Sequence, residues 1–425
     1  MRTELRSFVW KGSLAGLCLA FAGLYLWLAV KAYLASYLAA VPELARIQRA
    51  IRLEPSNAQY RELLGRNLAL SGITTAEAIS SFRTAVYLNP YAAQYWLDLA
   101  NAYQVTGQAN EQRASLERAV KAAPTTPHVA WEAANFFLLQ GDREAAFRSF
   151  RVVFASNDND AVDAALGLCW RASGDENQIL ELALPARADL YLRFLRLLIH
   201  KQELTAAERV WNQLVGLHQT FSPKLAFPYL QFVLGRRDVK AAQTAWQQLA
   251  TMDRSLTRYL PSPENLIVNS GFEETVLNGG FDWLYQPFSH VALTLDTSEF
   301  HSGTRSLSMT FDGMNPAEAG IYQLIPVNPI TEYEFSANYK AEDVETASGP
   351  RFAITDAYSA VSYVLTEDIT GTTPWRLAQA RFRTGEDTSL LLLKITRVPA
   401  NPLIRGKLWI DDLKLIEKSS KDQDF

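Results

Sequence analysis

The chain has little of the chemistry that enzymes and nucleic-acid-binding proteins usually display. Its 425 residues include two cysteines and five histidines, and the net charge is −4. The histidines form no closely spaced metal pattern, and there is no G-x-S-x-G elbow, phosphate-binding loop or dinucleotide fingerprint. Acidic and basic residues are interspersed, so no basic face is predicted for nucleic acid. We therefore expect neither nucleic-acid binding nor enzyme activity.

The two cysteines, Cys18 and Cys169, say little about the redox compartment. Cys18 falls in an apolar N-terminal run and Cys169 in a helical stretch, so the sequence gives no reason to pair them. The apolar helical surroundings of Cys169 favour a packed thiol over a nucleophile.

One long uncharged run covers 19 residues, Gly12 to Val30. As a helix it would extend about 28 Å, close to the hydrocarbon thickness of a bilayer. Tyr25 and Trp27 near its end suit the interfacial region. The run predicts a transmembrane signal anchor at residues 12–30, preceded by a cytoplasmic N-terminus, residues 1–11. A cleaved signal peptide is the main alternative, but Leu38-Ala39-Ala40 is a poor cleavage site and the run exceeds the usual length.

Basic residues flank this run on both sides. Three precede it and three follow it: Arg2, Arg6, Lys11, Lys31, Arg46 and Arg49. The N-terminal three lie closer to the run as a group, which favours a cytoplasmic N-terminus under the positive-inside rule. We predict a single-pass membrane protein whose soluble part is extracytoplasmic.

Beyond the run, a pattern recurs with a period near 34 residues. Pro55, Pro90 and Pro124 are 35 and 34 residues apart, and each follows an alanine by five positions. The other recurring positions are Leu64-Gly65-x2-Leu68, Ala78-x3-Phe82-x2-Ala85, Trp96-x2-Leu99-Ala100-x2-Tyr103, Ala133-Ala134-x2-Phe137 and Ala146-x3-Phe150. In such a pattern small residues let antiparallel helices approach, and large residues fill the groove between them.

This spacing resembles the tetratricopeptide repeat, most clearly over residues 45–153. Two later helix pairs are predicted at Leu190–Ile199 with Ala206–Leu217 and at Ala226–Leu234 with Val239–Leu249. The resemblance implies an all-α tetratricopeptide-like solenoid over residues 42–255. Arrays of this kind present a concave surface to a protein partner.

Two sets of residues in the repeats have different predicted roles. A protein-binding groove would draw on exposed polar residues of the first helix of each pair: Asn67, Asp98, Asn101 and Asn135. Large aromatic residues are expected in the core instead: Trp96, Tyr103, Phe137, Trp211 and Trp246.

After Met252 the hydrophobic spacing changes from helical to alternating. Tyr259-Leu260-Pro261-Ser262-Pro263 belongs to a short linker, residues 256–263, because each proline disfavours helix in its predecessor. Apolar residues then alternate with polar ones around Leu307 and Tyr333. Further strands are predicted at His290–Asp296, Gly320–Val327, Arg351–Asp356, Trp375–Phe382, Ser389–Thr396 and Lys407–Ile416. This density of strands indicates an all-β jelly-roll sandwich over residues 264–418, followed by a polar tail, residues 419–425.

Three segments of this region resemble bacterial carbohydrate-binding modules of the jelly-roll type. Residues 265–273 (NLIVNSGFE) look like the opening strand of those modules, with Trp283 following. Residues 301–307 (HSGTRSL) look like their small-residue turn, and residues 408–415 (LWIDDLKL) like their closing strand. The resemblance implies a bacterial carbohydrate-binding-module-like domain. Together with the predicted anchor at residues 12–30, it places the protein in the bacterial inner membrane.

The closing strand also predicts a local irregularity. Leu408 and Ile410 share one parity, whereas Leu413 and Leu415 share the other. A bulge at Asp411-Asp412 would bring all four side chains to the core.

In the modules that the chain resembles, an opening-strand glutamate and a closing-strand aspartate help to hold a structural calcium. By position, the resemblance implies Glu273 and Asp412 as ligands, with backbone oxygens near Ser302–Gly303. Oxygen ligands suit this ion. The alternative is that both acids are ordinary surface residues.

Sugar binding needs exposed aromatic rings with polar groups nearby. The candidates are Trp283, Tyr285, Tyr358, Tyr363 and Trp375, whereas Trp409 is expected in the sandwich itself. Core packing is the alternative for each ring. The resemblance does not carry binding aromatics over by position, because these vary among such modules.

Three functions compete. The leading hypothesis is a membrane-anchored scaffold of the bacterial envelope, in polysaccharide assembly or export, whose repeats bind a protein and whose sandwich binds a glycan. The second is a protein-only assembly factor with a structural sandwich. The third, a glycoside-processing enzyme, requires a suitably placed carboxylate pair that the sequence does not display.

Overall fold

The structure is a computed structural model that describes residues 8–71, 75–286 and 289–418. The chain divides into two compact units after Pro185. An apolar N-terminal helix, a series of paired helices and a C-terminal two-sheet sandwich confirm the predicted multidomain fold class. The predicted linker, residues 256–263, lies within the second unit. The predicted tail, residues 419–425, lies outside the described residues.

The first unit is helical. Its helices are α1 Phe8–Ala39, α2 Leu44–Leu53, α3 Ala58–Ser71, α4 Thr75–Leu88, α5 Ala93–Val105, α6 Ala109–Ala122, α7 Pro127–Leu139, α8 Arg143–Phe154, α9 Asn159–Ser173 and the single turn α10 Glu176–Gln178, which continues into a π-helical turn, Ile179–Ala183.

Helix α1 is longer than the predicted span of residues 12–30. It continues to Ala39 because residues 31–39 include no glycine or proline, and the first helix breaker is Pro42. Gly12–Ala39 is long and apolar enough to cross a membrane, and its most apolar window is not buried inside the protein. A membrane anchor and a signal sequence share these properties.

Consecutive helices pack as pairs, α3 on α4, α5 on α6 and α7 on α8. Gly65 shows why small residues recur in the pattern. A Cβ atom at this position would lie 2.6 Å from Cε1 of Phe82, so the phenyl ring fills the space that glycine leaves. The predicted helix pairing and its small–large logic are confirmed.

The expected core residues of the helices are mostly where the sequence predicts them. Tyr103, Phe137, Trp211 and Trp246 are buried. Trp96 is half-buried, and its indole N–H donates to the Pro90 carbonyl at 2.8 Å. Cys169 is also buried, and burial raises the pKa of its thiol, which confirms a packed rather than nucleophilic cysteine.

Aspartates begin several of the helices. The Asp142 carboxylate accepts the backbone N–H of Ala145 at 3.1 Å, as an N-cap does. Asp158 caps α9 in the same way. Gly141 precedes Asp142 with φ of 78°, a left-handed conformation that suits glycine and allows the turn between α7 and α8.

Among its described residues, the second unit begins with four further helices and ends with ten strands. The helices are α11 Ala188–Lys201, α12 Leu204–Gly216, α13 Phe227–Gly235 and α14 Val239–Met252, with 3-10 turns at Pro223–Ala226 and Arg254–Tyr259. The two predicted later pairs are therefore confirmed. The strands are β1 Leu284–Tyr285, β2 Val291–Asp296, β3 Ser306–Asp312, β4 Glu318–Pro326, β5 Glu332–Glu345, β6 Arg351–Asp356, β7 Ser362–Leu365, β8 Gly371–Arg383, β9 Leu390–Thr396 and β10 Arg405–Glu417.

The strands form two antiparallel sheets of five. The first sheet has the order β1-β4-β9-β6-β7 and the second the order β2-β3-β10-β5-β8. Alternate side chains of both sheets meet in one core, where the rings of Phe335 and Phe352 lie 5.6 Å apart. This is the predicted sandwich.

The helix pair α13–α14 packs against the loop that leads into the sandwich. The indole of Trp246 donates to the Tyr259 carbonyl at 2.9 Å and meets Phe281 edge-on, with ring centroids 6.3 Å apart. Gly280 lies against the same indole, since a Cβ atom there would come 2.2 Å from its Cζ3. These contacts join the last helix pair and the sandwich into one packed body.

The predicted opening strand, residues 265–273, is wrong. The structure has an isolated bridge between Ser262 and Asn265 here in place of a strand, because Asn269 and Phe272 adopt φ of 48° and 58° and interrupt the extended backbone. The segment still lies against β10, since the Leu266 N–H donates to the Leu415 carbonyl at 2.9 Å and the Leu413 N–H to the Ser270 carbonyl at 3.1 Å. The Gln323 side chain instead satisfies the N–H and C=O groups of Val268, at 3.0 and 2.8 Å. Strands β1 and β7 were not predicted, because they have two and four residues and are too short to show a recognisable alternation of apolar and polar residues.

The predicted bulge in the closing strand is confirmed. The register between β10 and β5 shifts between Asp411 and Lys414, and Asp412 has φ of 47°. All four apolar residues around it are fully buried: Leu408, Ile410, Leu413 and Leu415.

Candidate functional site

Three acidic side chains converge on the turn between β2 and β3, residues 301–305. Glu273 accepts the backbone N–H groups of Thr304 and Arg305, at 2.8 and 3.2 Å, and the Thr304 hydroxyl at 2.6 Å. These hydrogen bonds hold the pKa of Glu273 below its ordinary value, and the bond from the Thr304 hydroxyl has the largest effect.

The closing strand supplies the other two acids. Asp412 lies 2.6 Å from Nδ1 of His301 and accepts the Ser302 hydroxyl at 2.7 Å. Asp411, which is fully buried, accepts the backbone N–H groups of His301 and Ser302 at 2.8 and 3.1 Å. Burial, and to a smaller degree the neighbouring Asp412 carboxylate, raises the pKa of Asp411.

The structure therefore brings Glu273, Asp412 and the Ser302–Gly303 turn together. It adds Asp411, which the sequence reasoning placed at the bulge but did not include among the ligands. The available signal was the adjacency of two carboxylates at a predicted bulge, where at least one must lie close to the neighbouring turn.

The donors at this turn fit a calcium ion in chemical type. Three carboxylates supply oxygen atoms of the kind that calcium prefers, and the turn faces them with backbone N–H groups and hydroxyls. Glycines keep the space beside the acids open, since a Cβ atom at Gly303 would lie 2.1 Å from Oε1 of Glu273, and one at Gly271 would lie 3.4 Å from Oδ1 of Asp411. Within the described residues, no three His, Cys, Asp or Glu side chains are already arranged as a metal site. Calcium binding here stays a prediction.

Of the five aromatic candidates, Trp283 is not available to a ligand. It is 1% exposed, stacks on Phe272 with ring centroids 5.1 Å apart, and donates its indole N–H to the Asn269 carbonyl at 3.1 Å. The prediction of Trp283 as a ligand contact is corrected: it is a core residue, because both its ring and its polar group are already occupied.

Tyr358 and Tyr363 are half-buried and engaged within the protein. The Tyr358 hydroxyl donates to the Leu234 carbonyl of α13 at 2.8 Å, and the Arg237 guanidinium lies over its ring at 5.3 Å. The ring of Tyr363 stacks on Phe382 with centroids 5.6 Å apart. Each tyrosine has at least one face covered, which leaves little of either for a sugar.

Tyr285 and Trp375 are the two candidates with exposed ring surface. Tyr285, 43% exposed, lines a cleft of about 250 Å³ between the edge strands β1 and β2. The other lining residues are Thr275, Val276, Leu293, Thr294, Leu295, Leu307 and Ile321. Trp375 lies on β8 at the opposite edge of the second sheet and meets His301 edge-on, with ring centroids 5.6 Å apart. The structure does not bring the two rings to one site.

The predicted protein-binding residues of the first unit separate into two groups. Asp98 and Asn101 line a cleft of about 330 Å³ together with Arg66, Ala69, Leu70, Phe82, Ala102 and Val105. Asn67 and Asn135 are engaged elsewhere. The Asn67 amide donates to the Pro42 carbonyl at 2.9 Å, and the Asn135 amide donates to the Trp131 carbonyl at 2.8 Å.

The structure also presents apolar residues that the sequence reasoning missed. Leu70, Val105 and Leu139 are 89%, 80% and 77% exposed. Each lies five residues after the small residue of its repeat, so the three occupy equivalent positions on α3, α5 and α7. This shared offset was the signal that could have found them, since a large apolar residue repeated at an exposed position indicates a contact surface.

An ion-pair network forms one wall of the cleft at Arg66. The guanidinium lies 3.0 Å from Asp98 and also contacts Glu62. Burial of Glu62, together with its contact with the Asp98 carboxylate, raises the pKa of Glu62 to about 7.

Comparison with protein families bears on the sandwich. Residues 264–400 match the family model of a carbohydrate binding domain. The C-terminal sandwich is a carbohydrate-binding domain. The match begins at the segment that precedes the Glu273 cluster and ends before β10, and it covers Tyr285 and Trp375. Among curated proteins, none matches the chain significantly.

Solved structures that are similar to parts of this chain are remote in sequence. A structure described as "CBM4 structure and function" is 13% identical over 36% of this chain and 99% of its own, with a TM-score of 0.28. A family 16 carbohydrate binding module is 19% identical over 36% of this chain and 100% of its own, with a TM-score of 0.26. A tetratricopeptide repeat protein from Parabacteroides merdae is 14% identical over 49% of this chain and 85% of its own, with a TM-score of 0.29.

Proposed function

We propose that this protein is a membrane-anchored binding scaffold of the bacterial envelope that holds a glycan through its carbohydrate-binding domain and a protein through its helical repeats. The observation that carries the proposal is the family match over residues 264–400, combined with a helical array that exposes repeated apolar positions. Helix α1 would anchor the carbohydrate-binding domain and the helical repeats to the membrane. This combination supports a role in polysaccharide assembly or export.

We place the glycan at the Tyr285 cleft. A pyranose presents C–H faces that pack on an aromatic ring, and Tyr285 is the most exposed of the five candidate rings, at the mouth of a concave surface. Thr275 and Thr294 add hydroxyl groups to the lining of the cleft. Trp375, which is half-buried on another edge, would at most hold a second sugar.

The glycan proposal is tested by binding of the full-length chain to a glycan array. Tyr285→Ala should weaken binding by about tenfold or more, since stacking of a ring on its ligand contributes about 1–2 kcal/mol. Tyr87→Ala is the matched control, because Tyr87 is a more exposed aromatic, at 84%, in the helical unit. A folded protein that binds no glycan, or a Tyr285→Ala variant that binds as well as the unmodified chain, would contradict the proposal.

We also propose that Glu273, Asp411 and Asp412 hold a structural calcium ion. The ion would supply a positive charge beside Asp411, whose pKa is raised by burial and, to a smaller degree, by the neighbouring Asp412 carboxylate. It would tie the segment before Trp283 to the closing strand. In the metal-free protein, added calcium should raise the melting temperature, and Glu273→Gln should abolish the response. An unchanged melting temperature after chelation would refute the calcium site.

The protein-only assembly factor remains the second candidate. It is favoured by one observation, that Trp283, Tyr358 and Tyr363 are engaged in packing inside the second unit. It predicts that a membrane complex is recovered through the helical repeats whether or not Tyr285 is intact. Pull-downs with the full-length chain and with the Tyr285→Ala variant separate the two candidates.

A further inference from the structure

The last turns of α1 belong to the folded first unit. Ala35 is fully buried, and it packs in one cluster with Ile47, Ala50 and Ile51 of α2. Leu38 and Ala39 contact the same cluster. By contrast, the apolar residues nearer the N-terminus are exposed, with Val30 at 57%. The repeats are therefore packed directly on the end of the apolar helix, without a flexible linker between them.

Helix α2 runs back alongside α1. Only residues 40–43 connect the two packed helices, so they must be antiparallel. The Arg46 guanidinium lies over the ring of Tyr37, 5.9 Å from its centroid, and this contact fixes the register. With equal rises of about 1.5 Å per residue, Arg49 comes level with Leu34 and Arg52 level with Lys31.

The returning helix carries a row of arginines. Arg46, Arg49 and Arg52 recur every third residue, and at 100° per residue they span an arc of about 120° on α2. Ile47, Ala50 and Ile51 face α1 instead and are buried. We name Arg46, Arg49 and Arg52 the α2 arginine face.

This face has little to neutralise it within the protein. The Glu43 carboxylate is 3.7 Å from Arg46, too long for a hydrogen bond, and Glu43 itself is exposed. Among the described residues, no acidic side chain lies within ion-pair distance of Arg49 or Arg52. Both are exposed. The α2 arginine face is therefore a cationic surface that an anionic partner could neutralise.

The position of this surface relative to a bilayer follows from the register. If residues 12–30 fill the hydrocarbon core, Lys31 lies at its edge, and residues 31–37 rise about 9 Å through the headgroup layer. The Lys31 ammonium lies over the ring of Trp27 at 5.2 Å, as expected for an interfacial pair. Arg52 and Arg49, level with Lys31 and Leu34, would then lie among the headgroups.

We propose that the α2 arginine face binds anionic phospholipid headgroups at the membrane that α1 crosses, which seats the helical repeats on the bilayer surface. The inference rests on the proposed membrane anchor. The occupant is the lipid surface, because the face is cationic, lies next to the apolar span, and is held there by buried contacts rather than by a loop. A protein joined to its anchor by a flexible linker would not need these buried contacts between α1 and α2.

The test uses the full-length chain in vesicles of phosphatidylcholine, with or without one third phosphatidylglycerol. A fluorophore is attached at position 56 (Ser56→Cys, with Cys18→Ala and Cys169→Ser), since Ser56 is exposed in the turn that follows α2. Quenching by lipids with spin-labelled headgroups measures how close this turn lies to the surface. We expect strong quenching with phosphatidylglycerol and weaker quenching at 0.5 M salt, where exposed charges are screened.

Neutralising the face (R46Q/R49Q/R52Q) should reduce the ratio of seated to unseated protein by on the order of 100-fold, about fivefold for each arginine. The lysine version (R46K/R49K/R52K) should retain most of the quenching. R143Q/R148Q/R151Q on α8 is the matched control, because it removes the same charge from three exposed arginines of another helix and should have no effect.

A second label separates this inference from the anchor itself. Cys18 lies in the apolar run, and labelled there in a Cys169→Ser background it should be quenched by lipids spin-labelled on their acyl chains. If Cys18 is not quenched, the anchor is wrong and the inference falls with it. If Cys18 is quenched but the label at position 56 responds neither to phosphatidylglycerol nor to loss of the arginines, the anchor stands and the seating of α2 is refuted.

Discussion

Replacement of Gly280 by alanine tests whether the last helix pair is packed on the carbohydrate-binding domain. Gly280 has φ of 65°, and a Cβ atom there would lie 2.2 Å from Cζ3 and 2.5 Å from Cη2 of Trp246. No real pair of carbon atoms approaches so closely, so the indole or the loop must move. The indole is held by its hydrogen bond to the Tyr259 carbonyl and by its edge-on contact with Phe281.

The cost has two parts, and a second glycine separates them. Alanine in the left-handed region costs about 1–2 kcal/mol wherever it occurs. Gly371 has φ of 71° and nothing within 4 Å of its Cβ position, so Gly371→Ala should cost that amount alone. Gly280→Ala adds the cost of overpacking, about 1–3 kcal/mol. For a unit of this size, 1 kcal/mol shifts the melting temperature by about 2–4 °C.

The assay is thermal unfolding of the full-length variants in detergent, followed by calorimetry so that separate transitions of the two units are resolved. We expect Gly280→Ala to melt several degrees below Gly371→Ala, with the shift confined to one transition. Trp246→Ala should remove the extra penalty, because the cavity it leaves accommodates the new methyl group. Equal melting temperatures for the two alanine variants would refute the packing of α14 on this loop.

Other predictions concern the first unit. Since the folded-state pKa of Glu62 is raised to about 7, its contribution favours the fold below the unfolded pKa near 4.3 and is lost as the pH rises through 7. Glu62→Gln should therefore raise the melting temperature at pH 8 and leave it unchanged at pH 4. Equal effects at the two pH values would show that the Glu62 carboxylate does not ionise between them in the folded protein. Asp142→Ala should cost about 1 kcal/mol in chemical unfolding, because the Ala145 N–H loses its cap, whereas Asp142→Ser should restore most of the stability. If serine restores nothing, the ion pair with Arg113, at 2.8 Å, rather than the cap, accounts for the loss.

The carboxylate cluster illustrates where sequence reasoning stopped. Hydrophobic parity predicted the bulge at Asp411-Asp412, because four leucine and isoleucine side chains cannot share one face without it. Parity does not say where the bulged side chains point. Only the packed structure aims Asp411 inward at the backbone of the 301–305 turn and Asp412 outward at His301.

The aromatic candidates separate for a related reason. Trp283 and Tyr285 are two residues apart, and both lie in the region that matches the carbohydrate-binding family model. One is 1% exposed and the other 43% exposed. The same aromatic residue types occur in cores and in binding sites. Whether a given ring is buried or exposed therefore depends on the residues that the fold packs around it.

The sequence by itself determined the local patterns. These are the apolar run, the repeat of small and large residues about every 34 positions, and the two-residue alternation of the strands. These patterns follow from the geometry of single elements, in which each residue's direction is set by its own helix or strand. The tertiary structure decided everything that depends on two distant elements meeting: the return of α2 along α1, the packing of Trp246 on Gly280, and the carboxylates at residues 301–305. Such contacts depend on side-chain shape and register across the core, which no local pattern encodes.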